Sequence, residues 1–140
     1  MQQRSGGNQM IGWAGGILAF IGAGHLTVGL LASSAYVGDW LSLRLWGHWW
    51  EDTTWAMSFW ANPAGFGLPL ALIGVLVVWM NRKGIVPPAF LAWTVLAWAV
   101  VCAYMVEPTP APVVVIAAAL LLRGIHRAAE HSEPQRFSVR

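Results

Sequence analysis

Charge is what this chain of 140 residues most lacks: only 10% of it is Asp, Glu, Lys or Arg, against roughly 25% in an ordinary soluble domain. Eight Lys/Arg and six Asp/Glu cannot hydrate a water-facing surface of this size, so a surface wet all round is excluded and the deficit reads as surface facing lipid. The net charge is +2, and no basic patch interleaved with aromatics occurs, which excludes a nucleic-acid partner. Cysteine is nearly absent. Cys102 stands alone in an apolar run, ruling out an internal disulfide or a cysteine-based zinc site and reading as a small hydrophobe. The chain has no glycine-rich phosphate loop, no Ser/His/Asp set and no paired carboxylates, so no enzyme is expected. Haem held by two axial ligands needs a suitably facing pair, and one histidine alone falls inside an apolar run; no cofactor is expected.

What remains is apolar: 57% hydrophobic residues and a mean hydropathy of +0.57. A bilayer core about 30 Å thick needs about 20 apolar residues per spanning helix. The pattern predicts an all-α, integral membrane four-helix bundle over residues 1–125, with spans at about 11–32, 55–80, 87–106 and 111–125, and a polar cytoplasmic tail at 126–140. The first run exceeds the 7–15 residues of a signal-peptide core, so an uncleaved helix is expected despite Ser33-Ser34-Ala35. Pro63 and Pro69 interrupt the second span, since proline removes a helical hydrogen bond and clashes with the preceding turn. A short interfacial segment to Asn62 followed by a membrane helix from about Pro63 is expected, with one long kinked helix as the alternative. Pro87-Pro88 open the third span, and Glu107-Pro108-Thr109-Pro110-Ala111-Pro112 forms a tight turn. The fourth span is short, with Arg123 snorkelling to the headgroups. Its helix is expected to run on along Arg127-Ala128-Ala129-Glu130.

Arg4, Arg82, Lys83, Arg123, Arg127, Arg136 and Arg140 fall on one side of this arrangement and Arg44 alone on the other. The positive-inside rule then places both termini in the cytoplasm. Six of the ten tryptophans lie between Trp40 and Trp60, as an interfacial belt between the first two spans; Trp13 and Trp79 mark the opposite interface. Seven arginines against one lysine fit a GC-rich bacterial genome, and the membrane expected is the bacterial plasma membrane.

Helices in lipid associate through close fit at small residues. Gly15, Gly22 and Gly29 make one stripe, Gly67, Ala71 and Gly74 a second, and Ala92, Ala99 and Ala103 a third. They suit a compact bundle or a homodimer equally. His25 shares the face of Gly22 and Gly29 and should point inward, where intramembrane ionisable groups find a partner. Two roles fit it: a proton-accepting or ligand-binding group under an outward-facing pocket, or a neutral histidine satisfied by one interhelical hydrogen bond. Asn62, Tyr104 and Glu107 are the polar groups expected to gather with it, with His25 and Glu107 within water-bridged reach. A solvated glutamate at a turn is the alternative. Arg44, His48, Glu51 and Asp52 share one face if their segment is an in-plane amphipathic helix, with Gly47 its weak point. One histidine and two carboxylates fall short of a metal site, and no metal is expected.

Gly22-Ala23-Gly24-His25 with Gly29, then Phe59-Trp60, Gly65-Phe66-Gly67-Leu68-Pro69-Leu70 and Glu107-Pro108-Thr109-Pro110, resemble a bacterial family of small four-helix membrane proteins of unknown function. The resemblance covers roughly residues 10 to 125. The Gly-x-x-His pattern is also loosely similar to DoxX-like membrane proteins. Neither resemblance implies a catalytic residue.

The functional expectation is a structural or accessory membrane subunit, as a homo-oligomer or in a larger complex. The alternative is a small transporter or ligand-binding protein using a pocket at His25. A membrane enzyme would need a metal or cofactor at the outer face.

Overall fold

The computed structural model describes residues 6–48, 53–105 and 109–132. Among them are six α-helices, one 3-10 turn and no strand: α1 (Gly6–Ala32), the 3-10 turn Ser34–Tyr36, α2 (Val37–Leu41), α3 (Thr54–Ala61), α4 (Gly67–Arg82), α5 (Ala89–Met105) and α6 (Ala111–Ser132). The all-helical expectation holds. The interrupted second span resolves as α3, a turn and α4. Pro69 is the third residue of α4, inside the first turn, where its missing N–H removes no intrahelical bond; the bond from Leu70 N–H to Phe66 O, 2.9 Å, follows directly. At the other end of α4, Gly84 takes φ +72°. Its N–H donates to Asn81 O, and Ile85 N–H donates to Met80 O at 2.9 Å. This glycine-dependent stop satisfies the last carbonyls of the helix.

The four long helices pack antiparallel to their neighbours, with α1 between α4 and α6, and α5 resting on α6. Along α1 and α4 the contact is backbone to backbone. A Cβ on Gly22 would lie 2.7 Å from Gly67 O, one on Gly15 would lie 3.0 Å from Gly74 O, and one on Gly74 would lie 2.6 Å from Gly15 O. The first two small-residue stripes therefore face each other within one chain. At the far end of α1, a Cβ on Gly7 would meet Gly124 O at 3.0 Å, and one on Gly124 would meet Gly7 O at 3.0 Å. Two apolar clusters fill the interior. Ile11, Val77, Ala92 and Leu121 occupy one, and Leu18, Leu70, Ala99 and Val114 the other.

Two helices, Gly6–Ala32 and Ala111–Glu130, are long and apolar enough to cross a membrane, while α4 and α5, at 16 and 17 residues, are apolar but shorter. α1 starts five residues before the expected span. α6 continues unbroken through Ser132 with Ala128 buried, so no structural boundary falls at residue 125. Over the described residues 42–48 the condition for an in-plane helix around Arg44 is not met. Leu43 takes φ +60° and Gly47 φ +82°, and the stretch from Ser42 to His48 is a series of turns. Left-handed backbone at two positions cannot continue a right-handed helix.

Candidate functional site

The end of the molecule that carries the 33–66 connection gathers most of the sequence-derived candidates. His25 is half-buried on α1. Its ring lies 4.0 Å from that of Phe66, tilted by 32°. Its Nε2 is 3.5 Å from the carbonyl oxygen of Ala61, to which it donates in the tautomer protonated there. Phe66 in turn meets Trp98 of α5 at 5.2 Å between ring centroids. A row of three rings thus crosses from α1 over the start of α4 to α5.

Asn62 closes the turn between α3 and α4 onto α1. Its Nδ2 donates to Ser33 Oγ at 2.6 Å, and its side chain rests on Gly29, where any Cβ would collide with it. Ser33 is 3% exposed, so Asn62 partners a hydroxyl that is otherwise cut off from solvent. Tyr104 is 89% exposed and does not pack against His25 or Asn62. Glu107 lies outside the described residues, and with it the expected approach to His25. Glu51 and Asp52 also lie outside them.

The connection itself is held by aromatic groups. Trp40 Nε1–H donates to Trp55 O at 2.9 Å, and Trp40 meets Phe59 edge-on at 5.7 Å. Arg44 pairs with Asp39 at 2.6 Å and sits 5.6 Å over the Trp55 ring, within cation–π range. Trp40, Leu45, Trp46, Phe59 and Trp60 surround a bowl of about 470 Å³.

A second hollow opens between α4 and α5. About 400 Å³ in volume, it is lined by Phe66, Pro69, Leu70, Ile73, Val95 and Trp98 among others. Through Phe66 and Trp98 it adjoins a smaller apolar hollow of about 290 Å³ at Cys102, Thr109 and Val114. Thr94 on its wall gives its hydroxyl to Phe90 O at 2.9 Å, so the wall is apolar in effect. No group of three or more His, Cys, Asp or Glu side chains able to hold a metal occurs among the described residues. The interactions available here are ring stacking, apolar contact, one half-buried amide–hydroxyl bond and, in the connection, a single exposed ion pair.

Sequence reasoning missed Ser33 and Phe66 as members of this site. Ser33 falls one helical turn past Gly29 on the same face, and Phe66 stands between two glycines; both signals were present.

A family model described as a family of unknown function, DUF6463, matches residues 9–129. That is most of the chain, and the protein belongs to this family. No curated protein and no solved structure matches it. The looser likeness to DoxX-like membrane proteins gains nothing from these comparisons.

Proposed function

We propose that this DUF6463 chain is a multi-pass integral membrane protein of the bacterial plasma membrane. Its four long helices cross the bilayer as one bundle with both termini in the cytoplasm. It serves as a non-catalytic structural or accessory unit, in a homo-oligomer or a larger membrane complex.

The observation that carries this reading is a band of exposed apolar side chains between two polar contacts. At one level the Asn81 carboxamide faces Gly12; at the other Asn62 donates to Ser33. From Gly12 to Ser33 α1 rises about 31 Å at 1.5 Å per residue, close to the hydrocarbon thickness of a bilayer. Between these levels the outward faces of all four helices carry large apolar groups, among them Phe20, Leu72, Trp93 and Ile116. Only 28% of the apolar stretch of α1 is buried in the molecule, whereas a soluble protein's core helix would be mostly covered. In water each exposed Å² of that surface costs about 25 cal/mol.

α4 and α5 are about 24 and 26 Å long, a shortfall that flanking turns and slight bilayer thinning accommodate. The cations support the orientation. Antiparallel packing collects Arg82, Lys83, Arg123 and Arg127 at one end of the bundle and leaves Arg44 at the other, as cytoplasmic and outer faces should differ.

Cysteine accessibility tests the topology. In a Cys102→Ala background, Lys83→Cys should react with a membrane-impermeant maleimide only after permeabilisation, and Ser42→Cys should react in intact cells. Release of the protein from membranes by alkaline carbonate, or equal labelling of both positions, would sink the reading.

The alternative of a transporter or ligand-binding protein has one supporting observation, the apolar hollow between α4 and α5. Phe66 separates it from His25, so the histidine reaches a ligand there only if that ring turns aside. Loss of a pH-dependent transport activity in His25→Ala would favour this alternative.

A further inference from the structure

We infer that the groove between α1 and α4 at the basic end of the bundle is a binding site for the headgroup of an anionic phospholipid of the cytoplasmic leaflet. The inference rests on the membrane reading above and adds a specific ligand class to it.

The groove has a volume of about 510 Å³ and is lined by Asn8, Gln9, Gly12, Trp13, Gly16, Val78 and Asn81. Gln9, Gly12, Trp13 and Gly16 share one helical face of α1. The two glycines make its floor: Asn81 Nδ2 would be 2.9 Å from a Cβ on Gly12, and a Cβ on Gly16 would meet nothing within 4 Å. Missing side chains thus open a slot that begins among amides and runs toward Val78.

Three carboxamides, from Asn8, Gln9 and Asn81, converge on this slot. None makes a side-chain hydrogen bond to another described residue. Their N–H donors are free for an acceptor-rich ligand, and a phosphodiester presents acceptors only. No acidic side chain lines the groove. Arg82 and Lys83 follow Asn81 directly, both exposed. Near an anionic surface each such cation contributes about 1 kcal/mol of attraction.

Position selects the source of the phosphate. The groove sits at the level that bounds the apolar band, and Trp13, 68% exposed, stands at its edge as an interfacial indole does. A headgroup among the amides would leave its glycerol and acyl chain to follow the glycine floor past Val78 into hydrocarbon. A free phosphate would fill only the upper part.

The test is native mass spectrometry of the detergent-purified protein with equal additions of phosphatidylglycerol and phosphatidylcholine. Parallel arms add glycerol phosphate and inorganic phosphate. Retention of phosphatidylglycerol over phosphatidylcholine is expected, with neither soluble phosphate competing. R82Q should lower that preference about fivefold, and N81A should lower it further. G16L fills the slot where the backbone has room, so it should abolish retention while helicity by circular dichroism stays unchanged. Equal retention of the two lipids, retention unaffected by G16L, or competition by the soluble phosphates would each overturn the inference. A chain that stays soluble without detergent breaks the membrane reading instead, so the two failures are told apart.

Discussion

Between α1 and α4 the backbones touch through glycine, although a long connection separates the two helices in the chain. Between α4 and α5, joined by one short turn, a hollow of about 400 Å³ stays open. Side-chain size decides the difference. Gly15, Gly22 and Gly29 meet Gly74, Gly67 and the small turn at Asn62, so carbonyl oxygens come within reach of the opposite helix. Across the other pair, Phe66 and Trp98 meet ring to ring at 5.2 Å and prop the helices apart. Proximity in the chain does not set closeness in space here. α5 is tight on one side only, where Ala92, Val95 and Ala99 are buried.

The contrast breaks most visibly at the glycine seam. Gly22→Leu drives a side chain into the backbone of α4, and because backbone cannot swing away the cost should reach about 3 kcal/mol, at the upper end for overpacking. Thermal unfolding in detergent measures it. Ala99→Leu, on the tight face of α5, should cost about 2 kcal/mol, less because α6 side chains can shift. Asn62→Ala leaves the Ser33 hydroxyl buried without its partner and should cost about 1 kcal/mol. In a double-mutant cycle with Ser33→Ala the two losses should not add, whereas full additivity would show the bond to be idle. Thr94→Leu, projecting into the open hollow, should change stability by less than about 0.5 kcal/mol. A large loss there would mean the hollow is not open.

Much of this contrast was legible in the sequence. Seven-residue spacing of Gly15, Gly22 and Gly29 marks one helix face, and Gly67, Ala71 and Gly74 mark its counterpart. Proline position foretold the split into α3 and α4, because a proline fits only where no N–H is needed. The helical turn also held information that went unread. Tyr104 lies five residues beyond Ala99, roughly 140° around the helix at 3.6 residues per turn, hence away from the buried face. The continuation of α6 was anticipated, but its packing was not. Arg123 and Arg127 end the apolar run, yet Ala117, Leu121, Gly124 and Ala128 hold one unbroken stripe against α1. The turns around Leu43 were out of reach, since a leucine gives no sign that it will take φ +60°. The Asn62–Ser33 pairing depends on which helices meet, and single-residue patterns do not reveal that.

The seam between α1 and α6 has a mechanical meaning. Because α4 is fastened to α1 and α5 to α6, the molecule is two hairpins bound along one line, like covers on a spine. The Gly7–Gly124 contact lies at the foot of that spine, where no glycine side chain stands between the two backbones. Phe66 and Trp98, 5.2 Å apart between ring centroids, are where the free edge of one cover meets that of the other.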